Sequence, residues 1–221
     1  MSLDTRIKIC GCASPEDAQL AVDAGADAVG VILAPESPRY VGIARLREIA
    51  AVLPAFVALV AVFVDPADAL VEEALAAGAL PQFHGDEPAD ACEAFTSGPY
   101  IKAFHVDAAQ PLGGAAFDRF AQPYARATWL FDTARPEGGS GGTGRVFRWE
   151  QARRLAGERR FIVSGGLTPE NVAACITAIG PYAVDVRSGV ETNGAKDRDK
   201  VRAFVQAVRE ADAARAGAVR A

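Results

Sequence analysis

What most constrains this chain is a repeated alternation of short, continuous apolar runs with longer stretches of helical period. Ile7–Cys10, Ala28–Leu33, Val57–Val64, Leu80–Phe83, Tyr100–His105, Thr128–Phe131, Phe161–Ser164 and Ala183–Val186 read as strands. Most are apolar at every position rather than at every second one, as strands covered on both faces must be. Between them lie helices. The first starts at Ser14-Pro15-Glu16-Asp17, with a hydroxyl cap, proline in the first turn and acids beside the positive end of the helix. Ala18, Ala21, Val22 and Gly25 follow at helical spacing, as do Val201, Phe204, Val205 and Val208 near the end of the chain. Thr168-Pro169-Glu170-Asn171 predicts another helix start.

Ala24-Gly25-Ala26 and Ala77-Gly78-Ala79 each close a helix and lead into a strand, 53 residues apart, which fits two βα units. About eight such units joined by right-handed crossovers predict an α/β fold, a single (β/α)8 TIM barrel. The predicted domain spans residues 1–221, with Ala211–Ala221 expected to fray because it has little apolar pattern. Gly138–Gly144 lies between a strand and a helix and reads as a functional loop rather than a linker.

Charge and composition exclude several classes of function. The 23 basic and 28 acidic residues leave −5, with no dense Lys/Arg cluster, so no nucleic-acid partner is expected. No apolar run reaches the ~18 residues of a membrane span. Met1–Arg6 leads into no signal-like segment, so a cytoplasmic protein without membrane contact is expected. Four cysteines, Cys10, Cys12, Cys92 and Cys175, fit a reducing compartment. Only two histidines are present, and Cys10-Gly11-Cys12 is too tightly spaced for a zinc pair. The Gly138–Gly144 run continues into Arg145-Val146 and matches neither a P-loop nor a dinucleotide fingerprint. Neither a metal nor a cofactor is expected.

In such barrels the chemistry sits at the C-terminal ends of the strands. Gly165-Gly166 and Ser188-Gly189 follow the seventh and eighth strands. One such pair marks only a tight turn; two on successive strands predict a phosphate site built from backbone N–H groups. Cys10 ends the first strand and Asp132 the sixth. A thiol titrates near 8.5, so a modest downward shift would make Cys10 a usable base, with Asp132 as an acid across the mouth. Each alone reads as readily as packing or a turn cap. Arg39 follows Pro35-Glu36-Ser37-Pro38 and suits a bidentate clamp on a carboxylate.

With these residues assembled, the chain resembles the phosphoribosylanthranilate isomerases of tryptophan biosynthesis from about Lys8 to about Phe204. The resemblance is carried by KICG at Lys8–Gly11, AGADAVG at Ala24–Gly30, SPRYV at Ser37–Val41 and HGDE at His84–Glu87. GGTG at Gly141–Gly144, FRW at Phe147–Trp149, SGGLTPENV at Ser164–Val172 and VDVRSGVE at Val184–Glu191 complete it. It implies an Amadori rearrangement of N-(5′-phosphoribosyl)anthranilate to the 1-deoxyribulose isomer, with Cys10 as base and Asp132 as acid. It implies Arg39 on the anthranilate carboxylate, and Gly165, Gly166, Ser188 and Gly189 on the phosphate. His84, Gly142 and Thr143 join the implied substrate-binding set. The expected partner is a small phosphoribosyl substrate, taken by a monomer or a homodimer. Cys12 and Arg187 depart from the family pattern, Cys12 as a second thiol open to labelling and Arg187 as a neighbour of the phosphate. Rival readings are a related phosphoribosyl isomerase with another aglycone, and a phosphosugar-binding module without activity.

Overall fold

The structure, a computed structural model, describes residues 4–106, 114–133 and 149–220. Eight parallel strands close into a barrel in chain order. They are β1 (Arg6–Cys10), β2 (Ala28–Ile32), β3 (Ala58–Phe63), β4 (Leu80–Phe83), β5 (Ile101–Val106), β6 (Thr128–Thr133), β7 (Phe161–Val163) and β8 (Ala183–Val186). Helices follow them: α1 (Pro15–Ala24), α2 (Ile43–Val52), α3 (Asp68–Ala76), α4 (Ala89–Phe95), α5 (Gly114–Ala121), α6 (Trp149–Ala156), α7 (Val172–Ile179) and α8 (Arg198–Arg220). β1 closes the ring on β8, with Ile7 opposite Val184 and Lys8 opposite Asp185.

Strand alternation divides the apolar residues into two layers. Ile7, Ile9, Val29, Phe63, Phe83, Phe131 and Val184 pack outward against Ala18, Leu46, Val71, Cys175 and Phe204 of the helices. Ile32, Val60, Val62, Ile101, Leu130 and Ile162 fill the barrel itself, and Cys10 belongs to this inner set. Because side chains alternate, Lys8 must point inward with Cys10, two residues further along β1.

The α1 start is capped as its residues predict: Ser14 Oγ accepts from the Asp17 N–H, and the Asp17 carboxylate accepts from Ala13 N–H. Thr168-Pro169-Glu170-Asn171 behaves otherwise. It forms a turn in which Asn171 Oδ1 accepts from Thr168 N–H, and α7 starts only at Val172. The chain beyond Ala211, where little apolar pattern was read, lies in the final helix. The helix continues to Arg220, and Ala211 and Asp212 are buried. Asp212 accepts from both the N–H and the hydroxyl of Thr5, at 2.6 and 2.7 Å, which gives the final helix a polar anchor that apolar periodicity cannot reveal. A short antiparallel pair, β9 (Glu191–Thr192) and β10 (Ala195–Lys196), follows β8 and was not foreseen. Gly142, Thr143 and the whole Gly138–Gly144 loop lie outside the described residues.

Candidate active site

The C-terminal rim of the barrel carries a ring of ionisable side chains. On β1, Cys10 is buried beside Lys8, whose ammonium donates to Asp185 Oδ1 of β8 at 2.9 Å. Ser164, after β7, donates to the other Asp185 oxygen at 3.4 Å. Burial alone would lower the Lys8 pKa, but the Asp185 carboxylate and the Cys10 sulfur outweigh it, and the net direction is upward. Burial pushes the Cys10 thiol up; Lys8 draws it back, and Asp185 opposes Lys8. The surroundings do not supply the modest downward shift that would suit a base: the low-dielectric interior disfavours the thiolate more than the ammonium favours it.

Asp132 lies inside β6 at an inward position, with its carboxylate against His84, which follows β4. Gln82 Nε2–H donates to His84 Nδ1 at 3.0 Å, so Nδ1 is the acceptor and His84 Nε2–H donates to Asp132 Oδ2 at 3.1 Å. Burial alone would raise the Asp132 pKa; the His84 hydrogen bond and nearby imidazole charge reverse this and hold it below the ordinary carboxylate range. The amide oxygen of Gln82, Oε1, is buried without a hydrogen-bond partner among the described residues.

Gly165 joins β7 to this acid. Its φ is +82°, and a Cβ there would stand 2.6 Å from Asp132 Oδ1 and closer still to Thr133. Only glycine fits both the backbone and the space. Gly165→Ala is expected to cost about 1–3 kcal/mol of stability and to lower kcat by displacing Asp132. An unchanged melting temperature together with unchanged kcat would remove this steric argument. Gly189 serves a parallel purpose, since a Cβ there would overlap the Leu167 carbonyl. The loops after β7 and β8 are thus in direct contact, which brings Gly165, Gly166, Ser188 and Gly189 to one sector of the rim.

Arg39 reaches the same side of the mouth. Its Nε donates to Glu191 Oε1 at 2.9 Å and one terminal nitrogen donates to Oε2, so the clamp foreseen for a ligand grips a protein carboxylate. Lys196 binds Glu191 Oε1 at 3.0 Å and also donates to the backbone oxygens of Cys10 and Arg187. Glu191 and Lys196 therefore tie the β1 terminus to the loop after β8. The Arg187 side chain packs over Gly11 beside Arg39. A comparable hub supports His84: the buried Glu87 carboxylate accepts from Asp65 N–H, Gly85 N–H and Lys102. Cys12 is not an open thiol, because it is buried and burial pushes it up to about 12. Cys92 and Cys175 are likewise buried and pushed up to about 12.

The supporting residues Lys8, Gln82, Glu87, Lys102, Asp185, Glu191 and Lys196 were missed from sequence. For Lys8 and Gln82 a signal existed, since each is a polar residue at an inward strand position between apolar neighbours.

The closed parallel barrel and the ionisable rim at one end define a (β/α)8-barrel enzyme. Residues 7–207 match the family model described as N-(5'phosphoribosyl)anthranilate (PRA) isomerase. The chain belongs to the N-(5'-phosphoribosyl)anthranilate isomerase family. It is 43% identical over 212 residues to the N-(5'-phosphoribosyl)anthranilate isomerase of Pseudomonas fluorescens SBW25, covering 95% of this chain and 98% of that one. The crystal structure of phosphoribosyl anthranilate isomerase from Thermotoga maritima superposes with a TM-score of 0.81 at 36% identity, over 93% of this chain and 99% of that one. Another such isomerase, solved with reduced 1-(o-carboxyphenylamino)-1-deoxyribulose 5-phosphate, gives 0.77 at 34% identity over the same shares.

Proposed function

We propose that this chain converts N-(5′-phosphoribosyl)anthranilate to 1-(2-carboxyphenylamino)-1-deoxyribulose 5-phosphate, in the cytoplasm, as a step of tryptophan biosynthesis. The observation that carries this reading is the pairing of a buried thiol on β1 with an imidazole-bound carboxylate on β6, both at inward rim positions.

Asp132 delivers a proton to the furanose ring oxygen, the C1′–O bond breaks, and the anthranilate nitrogen lone pair forms the C1′ iminium. Cys10 then removes the C2′ proton, and those electrons neutralise the iminium to give an enolamine. That enol tautomerises to the ketone. Asp132 needs a proton for the first step, and its neighbour can supply one. A doubly protonated His84 passes Nε2–H to Oδ2 and remains neutral with Nδ1–H, for which Gln82 Oε1 is the acceptor once the amide turns over. His84 thus orients and recharges the acid.

The phosphate is assigned to the backbone N–H groups around Gly165, Gly166, Ser188 and Gly189, with Arg187 at hand. Gly142 and Thr143 complete the binding set from the loop after β6. Arg39, held in orientation by Glu191, directs its remaining donors to the anthranilate carboxylate. Arg39→Ala is expected to raise KM roughly ten- to a hundredfold, from the ~1.5–3 kcal/mol of a hydrogen bond to a charged group. Lys196 still pairs Glu191 in that variant. A loss confined to kcat would overturn the binding role.

The direct test is turnover of N-(5′-phosphoribosyl)anthranilate by the pure protein, against aminoaldose phosphates with other aglycones. Preferred turnover of the anthranilate compound is expected. Tight binding without turnover, or preference for another aglycone, would overturn the proposal.

A further inference from the structure

Three nitrogen and oxygen ligands from neighbouring strands converge at the rim. His84 follows β4, His105 lies in β5 and Asp132 lies in β6. One ligand atom from each falls within 4.8 Å of the other two. The imidazoles meet edge to face at 5.1 Å between ring centroids. They border a cavity of about 330 Å³ whose lining adds the carboxylates of Asp65 and Asp86.

We propose that His84, His105 and Asp132 bind a borderline divalent cation of the Zn2+ class, and that the bound cation inhibits the enzyme by occupying Asp132. Two imidazoles and one carboxylate form a ligand set well suited to zinc, leaving a fourth position for water. The inhibition clause rests on Asp132 being the acid; the binding clause does not.

The surroundings of both histidines argue for ligation. A ligating histidine gives its second N–H to a carbonyl or carboxylate, which fixes the ring and raises its basicity. His105 Nε2 lies 3.2 Å from the backbone oxygen of His84. For His84 the matching acceptor is Gln82, which is 1% exposed and whose Oε1 is buried without a partner among the described residues. With a cation on Nε2, the His84 proton moves to Nδ1 and the Gln82 amide turns over. The orphaned oxygen then receives that proton. The turn exchanges the Gln82 Nε2–H contact to Nδ1 for one in which Oε1 accepts, so Gln82 can serve either tautomer of His84.

The set is built from ordinary parts of the barrel. Successive parallel strands place their last inward positions side by side, so His84 just past β4, His105 near the end of β5 and Asp132 near the end of β6 face one point. The Glu87 hub secures the loop that begins at His84.

The test uses the full chain stripped with EDTA and returned to chelator-free buffer. Zn2+ is titrated calorimetrically, and Co2+ is followed by its visible absorption, in the parent protein and in His105→Ala. The parent is expected to bind one Zn2+ and to give the visible bands of nitrogen- and oxygen-ligated Co2+. Losing an outer-shell partner weakens metal affinity about 10–100-fold, and losing His105 should weaken it at least that much. A second variant, Gln82→Leu, should weaken binding by about 10–100-fold through loss of the Nδ1–H acceptor. In parallel, turnover is measured in Zn2+ buffers, each protein relative to its own rate in EDTA. Inhibition of the parent, reversed by EDTA and relieved in His105→Ala, is expected. Absent binding, or equal affinity in His105→Ala, would each overturn the three-ligand site, and binding without inhibition of an active enzyme would overturn the inhibition. A parent that binds zinc but shows no turnover even in EDTA would overturn the proposed function and leave the cation site standing.

Discussion

Cys10→Ala is expected to lower kcat by about 10²–10⁴-fold, the usual contribution of a positioned acid or base, while the protein stays folded. The side chain is small and belongs to the inner barrel layer beside Ile32 and Val60. Its removal deletes one sulfur and leaves the Lys8–Asp185 pair intact, so a melting temperature within a few degrees of the parent's is expected. A kcat loss below tenfold would sink the assignment of Cys10 as base. The pH profile carries a second, independent reading. A base must be deprotonated to act, so kcat/KM should rise with pH through the free-enzyme pKa of Cys10. Burial sets that pKa above the ordinary thiol value, which moves the rising limb toward alkaline pH. Lys8 is the strongest influence opposing the shift, so Lys8→Met should move the limb further upward. A limb that ignores Lys8 would show that the titrating group is not Cys10. A thiol raised in this way is less often ionised, yet its thiolate is a stronger base toward carbon.

Asp132→Asn is expected to produce a loss of similar size, about 10²–10⁴-fold in kcat. The replacement keeps size and shape and offers His84 Nε2–H a carbonyl in place of the carboxylate oxygen, so the β4–β6 contact survives. What disappears is the proton that the pair hands to the ring oxygen. Substrate affinity should change far less than kcat, because Arg39 and the glycine loops are assigned to binding. A variant with kcat near that of the parent would show that the ring oxygen receives its proton elsewhere. A variant that unfolds would instead be read through Asp132→Glu, which retains the acid on a longer arm. Folded Asp132→Glu with no more residual turnover than background would then count against Asp132 as the proton donor.

The barrel was legible because its strands are apolar at nearly every position and are spaced by stretches of helical period. Ser14-Pro15 announced its helix correctly, whereas Thr168-Pro169 did not, since Asn171 draws that segment into a turn first. The rim positions of Cys10, Asp132, His84 and Arg39 followed from strand ends alone. Their electrical state did not. The Cys10 shift depends on Lys8 and Asp185, which lie 177 residues apart and meet only when the ring closes. Glu191 likewise reads as one more acid in the sequence, and only the fold reveals that it holds Arg39 and Lys196 together. Neighbours on a strand are visible in a sequence; neighbours across a barrel are not.

The Lys8–Asp185 pair and the Thr5–Asp212 clasp also order events in time. A chain made from its N-terminus exposes Lys8 and Cys10 long before Asp185 exists, and β1 stays a strand without its second neighbour until β8 emerges. Thr5 finds Asp212 later still, across 207 residues. Domains fold as units during synthesis, and contacts between distant residues form late because closing a long loop costs entropy first. The Cys10 thiol is therefore set beside an ion pair whose second member is translated 177 residues after its first. A nascent chain that has not yet made β8 holds neither a closed barrel nor a paired Lys8, so the charge balance around Cys10 is fixed only when the ring closes.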